Sequence, residues 1–497
     1  GVAVSTIEGR SGGRVGSAEV GVKPARVGEN AMYSGAGRGV SRRTVLSGIT
    51  GSLAAAALGP LARAATAPET ATAPRLLAGA RIFDGHSAAL LHGRDILVAR
   101  GRIEALVPRG QGPADAEIVD CSGKVIMPGM IDAHWHALLA ALPMSVARTA
   151  DIGYIHLLAA QEAERTVLRG FTSIRDAGGP SFALKRAIDE GRFPGPRIWP
   201  SGAMITQTGG HGDFRPRAEI PRGPLSTLSA AEIAGISAIA DGVPEMLRRA
   251  REQLLLGATQ VKIMVGGGVS SQYDPIDVQQ FTTAEIRAAV DAARDWGTYV
   301  AAHVYTSEGI LRAIECGVMS IEHGQLADAR TAAAMAEAGA WWSLQPFLAD
   351  EDANPQASPE ARAAQREIAD GTVRAVELAR SHGVKMALGT DILFSPDRTW
   401  TQGGQLAKFA RFMPAAEVLA GATSGNAELL ALSGQRSPYA GPLGVVAAGA
   451  QADLLVLDGD PLADIAIIGD PVRMRLIMKA GAILKDTLGT ECPEARS

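Results

Sequence analysis

Polar and apolar positions divide the chain into two kinds of segment. From Arg75 to about Ile126, and again from Ala452 to Gly481, short apolar runs alternate with tight polar turns. Arg81-Ile82-Phe83-Asp84-Gly85, Asp95 through Ile103, Gly123-Lys124-Val125-Ile126 and Leu454-Leu455-Val456-Leu457 are of this kind. Such runs, bounded by Gly, Asp and Pro, predict strands. Strand-rich pieces at both ends predict one small β-sandwich domain built from both termini (75–127 and 436–485), enclosing the middle of the chain. There, apolar runs alternate with stretches such as Ala284 to Ala293, whose apolar residues recur at helical spacing. Strands are predicted at Phe171–Arg175, Arg197–Ser201, Gln260–Val265, Tyr299–Val304, Ser320–Glu322, Trp342–Gln345 and Lys385–Leu388. The run from Val125 into His134 comes before them and makes eight. Eight β/α units over roughly 300 residues predict an α/β fold, a (β/α)₈ TIM-like barrel across 128–435. An open doubly wound sheet is the alternative, but no glycine-rich nucleotide turn follows the first strand.

Composition narrows the partners. The chain of 497 residues is 46% hydrophobic, so a large core is available. A net charge of −4 offers no basic field for nucleic acid. Cys121, Cys316 and Cys492 are too few and too scattered for a disulfide framework or a cysteine zinc motif, so any metal would need histidine and carboxylate. Residues 1–64 stand apart. Ser41-Arg42-Arg43-Thr44-Val45-Leu46 is followed by an apolar stretch from Gly48 to Leu58 and by Ala62-Arg63-Ala64, a pattern similar to a twin-arginine export signal. The apolar stretch is shorter than the roughly 20 residues that span a bilayer. A periplasmic or secreted protein with no membrane anchor after cleavage is expected, acting on a small molecule, with assembly into a homo-oligomer left open.

Candidate chemistry gathers at predicted strand ends, where active sites of such barrels lie. His134 and His136 bracket one residue, and alternate residues of a strand share a face. His303 ends the fifth strand and His323 the sixth, so four of the nine histidines occupy such positions. Lys262 lies inside the apolar run of the fourth strand. Burial would depress its pKa, and a neutral amine can take up CO₂ to become a carbamate able to bridge two cations. Pairing with a buried carboxylate is the plainer alternative. Asp391, after Gly389-Thr390 at the eighth strand, can ligate a metal and accept a proton from a water acidified there; once protonated it can supply a leaving amine.

HxH, the strand-four lysine, His303, His323 and Gly389-Thr390-Asp391 together resemble the binuclear amidohydrolase superfamily. Phrases such as Gly170 to Gly179, Lys262 to Ser271, Ile321-Glu322-His323-Gly324 and Ala422 to Ala427 are similar to the branch holding prolidase-like, arginine or lysine carboxypeptidase-like and ochratoxin-cleaving enzymes. The resemblance implies that His134, His136 and Asp391 hold one metal, that His303 and His323 hold the other, and that carbamylated Lys262 bridges them. Two divalent ions are implied, with zinc expected, since imidazole and carboxylate suit it. Mononuclear deaminases of the superfamily typically lack the bridging lysine. The resemblance also implies a substrate-carboxylate contact from His211, in the loop Thr208 to Asp213, and from Tyr305.

The activity implied is hydrolysis of an amide bond to a C-terminal amino acid, in a dipeptide or N-acyl amino acid. A cyclic amide or ester hydrolase using the same site is the alternative, and a non-catalytic binding protein on a hydrolase barrel is the alternative from another class. The segments Phe214–Pro244, with Arg215, Arg217 and Arg222, and Phe394–Gln405 depart from the branch where selectivity would be set. His86, His92, His156 and His382 are expected outside the site, Trp341 and Trp342 in packing, and Asp176 in the turn after the second strand.

Overall fold

The computed structural model describes residues 73–490, with 221–226, 270–272, 354–355 and 357 excepted. The export-signal segment, Arg222 and Cys492 lie outside the described residues. None of the described helices is long and apolar enough to cross a membrane.

Parallel strands form the centre. Met130–Trp135, Phe171–Asp176 and Arg197–Pro200 pair in one array. Met204–Thr206, Val261–Met264, Val300–Thr306, Ser320–Leu326, Trp341–Leu344 and Met386–Leu388 pair in order in a second, which Ser237–Ile239 extends beside Met204–Thr206. Every residue of the first three strands and of Val261–Met264 is buried, as expected for parallel strands covered on both faces. Helices such as Thr283–Asp295, opened by a Thr282/Glu285 capping box, supply that cover through Ile286, Ala289 and Ala293.

The third strand, predicted as Arg197–Ser201, runs on beyond that range as a second piece, Met204–Thr206. It breaks at Ser201-Gly202-Ala203, where Gly202 adopts φ 75°. The piece before the break pairs with Phe171–Asp176 and the piece after it with Val261–Met264, so this one strand serves both arrays. Gln260 reinforces the junction, its Nε2 donating to Trp199 O at 2.9 Å and to Asp176 O at 3.2 Å. At the opposite edges, Asn426 Nδ2 donates to Ile131 O at 2.6 Å and to Leu388 O at 2.7 Å, while its Oδ1 accepts from Leu388 N at 2.9 Å. A one-turn π-helix, Gly421–Gly425, leads into this residue. The phrase Ala422 to Ala427 is thereby explained as a clamp between the first and last strands.

The terminal segments form two further sheets. One joins Arg102–Pro108, Arg94–Ala99, Arg75–Ala78 and Glu117–Asp120; the other joins Ala482–Asp486, Met474–Lys479, Leu454–Leu457, Val125–Pro128 and Arg81–Ile82. Ile96, Val98, Ile126, Val456 and Leu476, drawn from both sheets, share one hydrophobic cluster. Asp95 to Ile103, read above as a single run, folds as a hairpin, because Arg100 and Gly101 both turn at positive φ.

Candidate active site

The structure brings all eight site residues read from the sequence to one cavity of about 530 Å³. His134 stands near the end of its strand and His136 just beyond it, with ring centres 5.5 Å apart. The parallel register sets His303 beside Met264 and Glu322, and His323 beside Val304. The His303 and His323 rings lie 4.6 Å apart, and those of His134 and His323 5.0 Å.

Each of the four imidazoles has one nitrogen taken by an acceptor. His134 Nδ1 donates to Glu322 Oε2 at 2.7 Å, and His136 Nδ1 to Gly178 O at 3.2 Å. His303 Nε2 donates to Gly267 O at 3.1 Å, and His323 Nδ1 to Gln345 Oε1 at 2.7 Å. These acceptors cannot return a proton, so each ring's other nitrogen keeps its lone pair. Burial holds three of the rings neutral: it pushes His134 down to about 4, and it takes His303 and His323 well below the usual histidine value. The Nε2 atoms of His134 and His136 then face Asp391 Oδ1 at 3.5 and 3.1 Å, and the three ligand atoms lie within 4.8 Å of one another. Burial raises the Asp391 carboxyl, but the neighbouring His134, His136 and His323 in their protonated forms lower it further, so the group titrates below the usual carboxylate range and is ionised at the pH where the rings are neutral. Lone pairs and a carboxylate converging without a proton between them form a donor set for a divalent cation.

Lys262 completes this set. Its side chain is fully buried, and its amine has no hydrogen-bond partner among the described residues. The alternative of close pairing with a carboxylate is therefore not what the structure contains. Burial lowers its pKa to about 8, although Glu322 and Asp391 pull the other way.

Asp132, unremarked in the sequence, and Gly389 hold the rim together. Asp132 Oδ1 accepts from the backbone of His134 (3.0 Å) and of Thr390 (3.1 Å), and its Oδ2 from Thr390 Oγ1 (2.6 Å). Gly389 lets the last strand approach the first: a Cβ there would lie 2.5 Å from His134 N and Cβ. Gly389→Ala is accordingly expected to destabilise the fold by about 1–3 kcal/mol, the range for overpacking. Chemical denaturation measures this, and an unchanged midpoint would show that the two strands part freely. Asp391 and His323 themselves have positive φ, 51° and 75°. Left-handed backbone at side chains of this kind is uncommon and tends to mark functional positions.

His211 stacks on His303, with ring centres 4.0 Å apart, and Gly268 leaves room for its imidazole. Gln280 Oε1 accepts from His211 N at 2.9 Å, and Asp274 Oδ2 lies 3.5 Å from Nδ1. Tyr305 is stacked 5.0 Å from His323, and burial keeps its phenol protonated. Phe394–Gln405 does line the cavity, through Phe394, Asp397 and Arg398 among others. Arg215 does not: it is buried and paired with Asp213 at 2.6 Å. Trp341 and Trp342 are packed away from the cavity, Trp342 Nε1 donating to His323 O at 2.7 Å. Asp176 orders its turn as expected, accepting from Ala137 N at 3.0 Å and from Ser181 Oγ. His86 and His92 are exposed, while His156 and His382 bond to carbonyls of their own helices.

Residues 125–484, from the strand preceding His134 to the last sheet, match the amidohydrolase family. The chain belongs to the amidohydrolase family. It is 31% identical to the ochratoxinase of Aspergillus niger over 382 residues, 73% of this chain and 76% of that one. It also resembles a solved prolidase, in complex with N-methylphosphonate-L-proline, at 36% identity and a TM-score of 0.75, covering 83% of this chain and all of that one. An imidazolonepropionase from Deinococcus radiodurans is 24% identical over 398 residues, 78% of this chain and 90% of that one. The enzyme is a hydrolase acting on C–N bonds, of a metal-dependent family whose architecture is TIM-like.

Proposed function

We propose that this amidohydrolase cleaves the amide bond to a C-terminal amino acid in a dipeptide or N-acyl amino acid, using two divalent cations. The observation that carries the reading is the amine of Lys262, without a hydrogen-bond partner among the described residues, beside four histidines and the ionised Asp391. His134, His136 and Asp391 would hold one cation and His303 and His323 the other, with Lys262, carbamylated, between them. Zinc suits these ligands. Such ions acidify water toward neutral pH and polarise a carbonyl.

The chain's own groups then divide the remaining work. Ionised at neutral pH, the Asp391 carboxylate takes the proton from the attacking water and passes it to the leaving amine. His211 and the protonated Tyr305 hydroxyl orient the substrate carboxylate by hydrogen bonds. Likeness to a prolidase holding a proline phosphonate supports a carboxylate-bearing substrate. The hydrogen bonds of Gln260 and Asn426 at the two array edges support a closed (β/α)₈ barrel over 128–435. The shared cluster of the terminal sheets supports a β-sandwich of 75–127 with 436–485.

Metal content by mass spectrometry, on protein purified without chelators, tests the reading alongside a panel of dipeptides, N-acyl amino acids and their C-terminal amides. Two zinc ions per chain with turnover lost on amidation is the expected result. Two ions with equal rates on the amides would remove the carboxylate requirement and direct the search to cyclic amides and esters.

A further inference from the structure

We propose that the buried pair Arg175–Glu322 is a positioning unit for His134, holding its Nδ1–H so that Nε2 presents a lone pair to the cation shared with His136 and Asp391. This rests on the metal reading above, and it concerns two residues that touch neither substrate nor metal in that reading.

Geometry carries it. Glu322 Oε2 accepts from His134 Nδ1 at 2.7 Å, and both Glu322 oxygens accept from Arg175 Nη2, at 2.8 and 2.6 Å. Ser320 Oγ donates to Glu322 Oε1 at 2.5 Å, which leaves the carboxylate little freedom to rotate. Arg175 is anchored in turn. Its Nε donates to Ala133 O at 2.5 Å, next to His134, and its Nη1 donates to Ser320 Oγ at 3.0 Å and Tyr299 OH at 3.3 Å. Nη2 also donates to Ser343 Oγ at 3.2 Å. The network therefore reaches strands one, two, five, six and seven, in an interior that such barrels ordinarily fill with branched apolar side chains.

A buried ion pair seldom stabilises a fold more than apolar residues of the same volume would. Its retention at this depth calls for another role, and the contact with His134 supplies one. The other three imidazoles of the candidate ligand set, His136, His303 and His323, are held by neutral acceptors, two carbonyls and an amide oxygen. His134 alone among them has a carboxylate behind it, the partner that fixes a histidine ligand's tautomer and raises its basicity.

Chelator competition on the zinc-loaded full chain, resolving the two equivalents, is the experiment, read together with thermal stability. In Glu322→Gln one equivalent is expected to weaken about 10–100-fold, the range for outer partners of metal ligands, and the other to be unchanged. Because that variant leaves Arg175 without its counter-charge, Arg175→Met/Glu322→Met, which leaves no buried charge, is measured beside it and is expected to show the same selective loss. Both affinities unchanged with a lowered melting temperature would make the pair a scaffold and overturn the proposal, as would an equal loss at both sites. A wild-type chain that binds no zinc would overturn the metal reading itself, before any variant is compared.

Discussion

Replacing Lys262 by methionine is expected to abolish hydrolysis while making the metal-free protein more stable. The amine lies in a dry interior without a hydrogen-bond partner, and its pKa is lowered from 10.5 to about 8. At 1.36 kcal/mol per pKa unit, holding it protonated at pH 7 costs about 3 kcal/mol, which methionine avoids. The folded pKa is the lower one, so between pH 8 and 10.5 the unfolded chain binds more protons. Stability of the metal-free wild type therefore rises with pH across that window, and the Lys262→Met variant lacks this rise. In the proposed mechanism the lowered value would also serve function. About a tenth of the amine is free at pH 7, against about one part in 3,000 at pKa 10.5, and only the free amine takes up CO₂. Denaturation of both metal-free proteins at pH 7 and pH 10, beside their turnover and zinc content, measures these effects. A methionine variant that keeps two zinc ions and full activity would remove Lys262 from the site.

Asp391→Asn should leave the fold intact and lower kcat by about 10²–10⁴, the contribution of a positioned general acid–base. Asparagine tolerates the left-handed backbone found at this position and is close in shape to aspartate. It cannot accept the water's proton, and as a neutral group it binds a cation more weakly. Measuring kcat at saturating zinc separates the two losses. A rate restored to the wild-type level by added zinc alone would leave Asp391 a ligand only and assign the proton transfer elsewhere.

Much of the site was legible because its chemistry is local in the sequence. Alternation on a strand placed His134 and His136 on one side, and a lysine inside an apolar run marked itself. Strand-terminal positions of His303, His323 and Asp391 followed from the β/α rhythm. Glu322, Arg175, Asp132 and Gln345 were not legible as parts of the centre. Each looks like an ordinary polar residue, and its partners lie tens to hundreds of positions away. Arg215 misled in the opposite sense: a loop arginine suggests a solvated charge, yet its neighbour Asp213 draws it into a buried pair.

Hydrophobic period and turn residues were enough to determine the class of fold and to put polar side chains at strand ends, because each depends on residues close along the chain; the resemblance to the binuclear amidohydrolases then singled out six of them as candidate ligands. Tertiary structure alone decided the break of the third strand at Gly202, the approach of Gly389 to His134 and the tautomers of His134, His136, His303 and His323. Those depend on which strands become neighbours, and a proton on an imidazole is assigned by the acceptor that packing sets beside it.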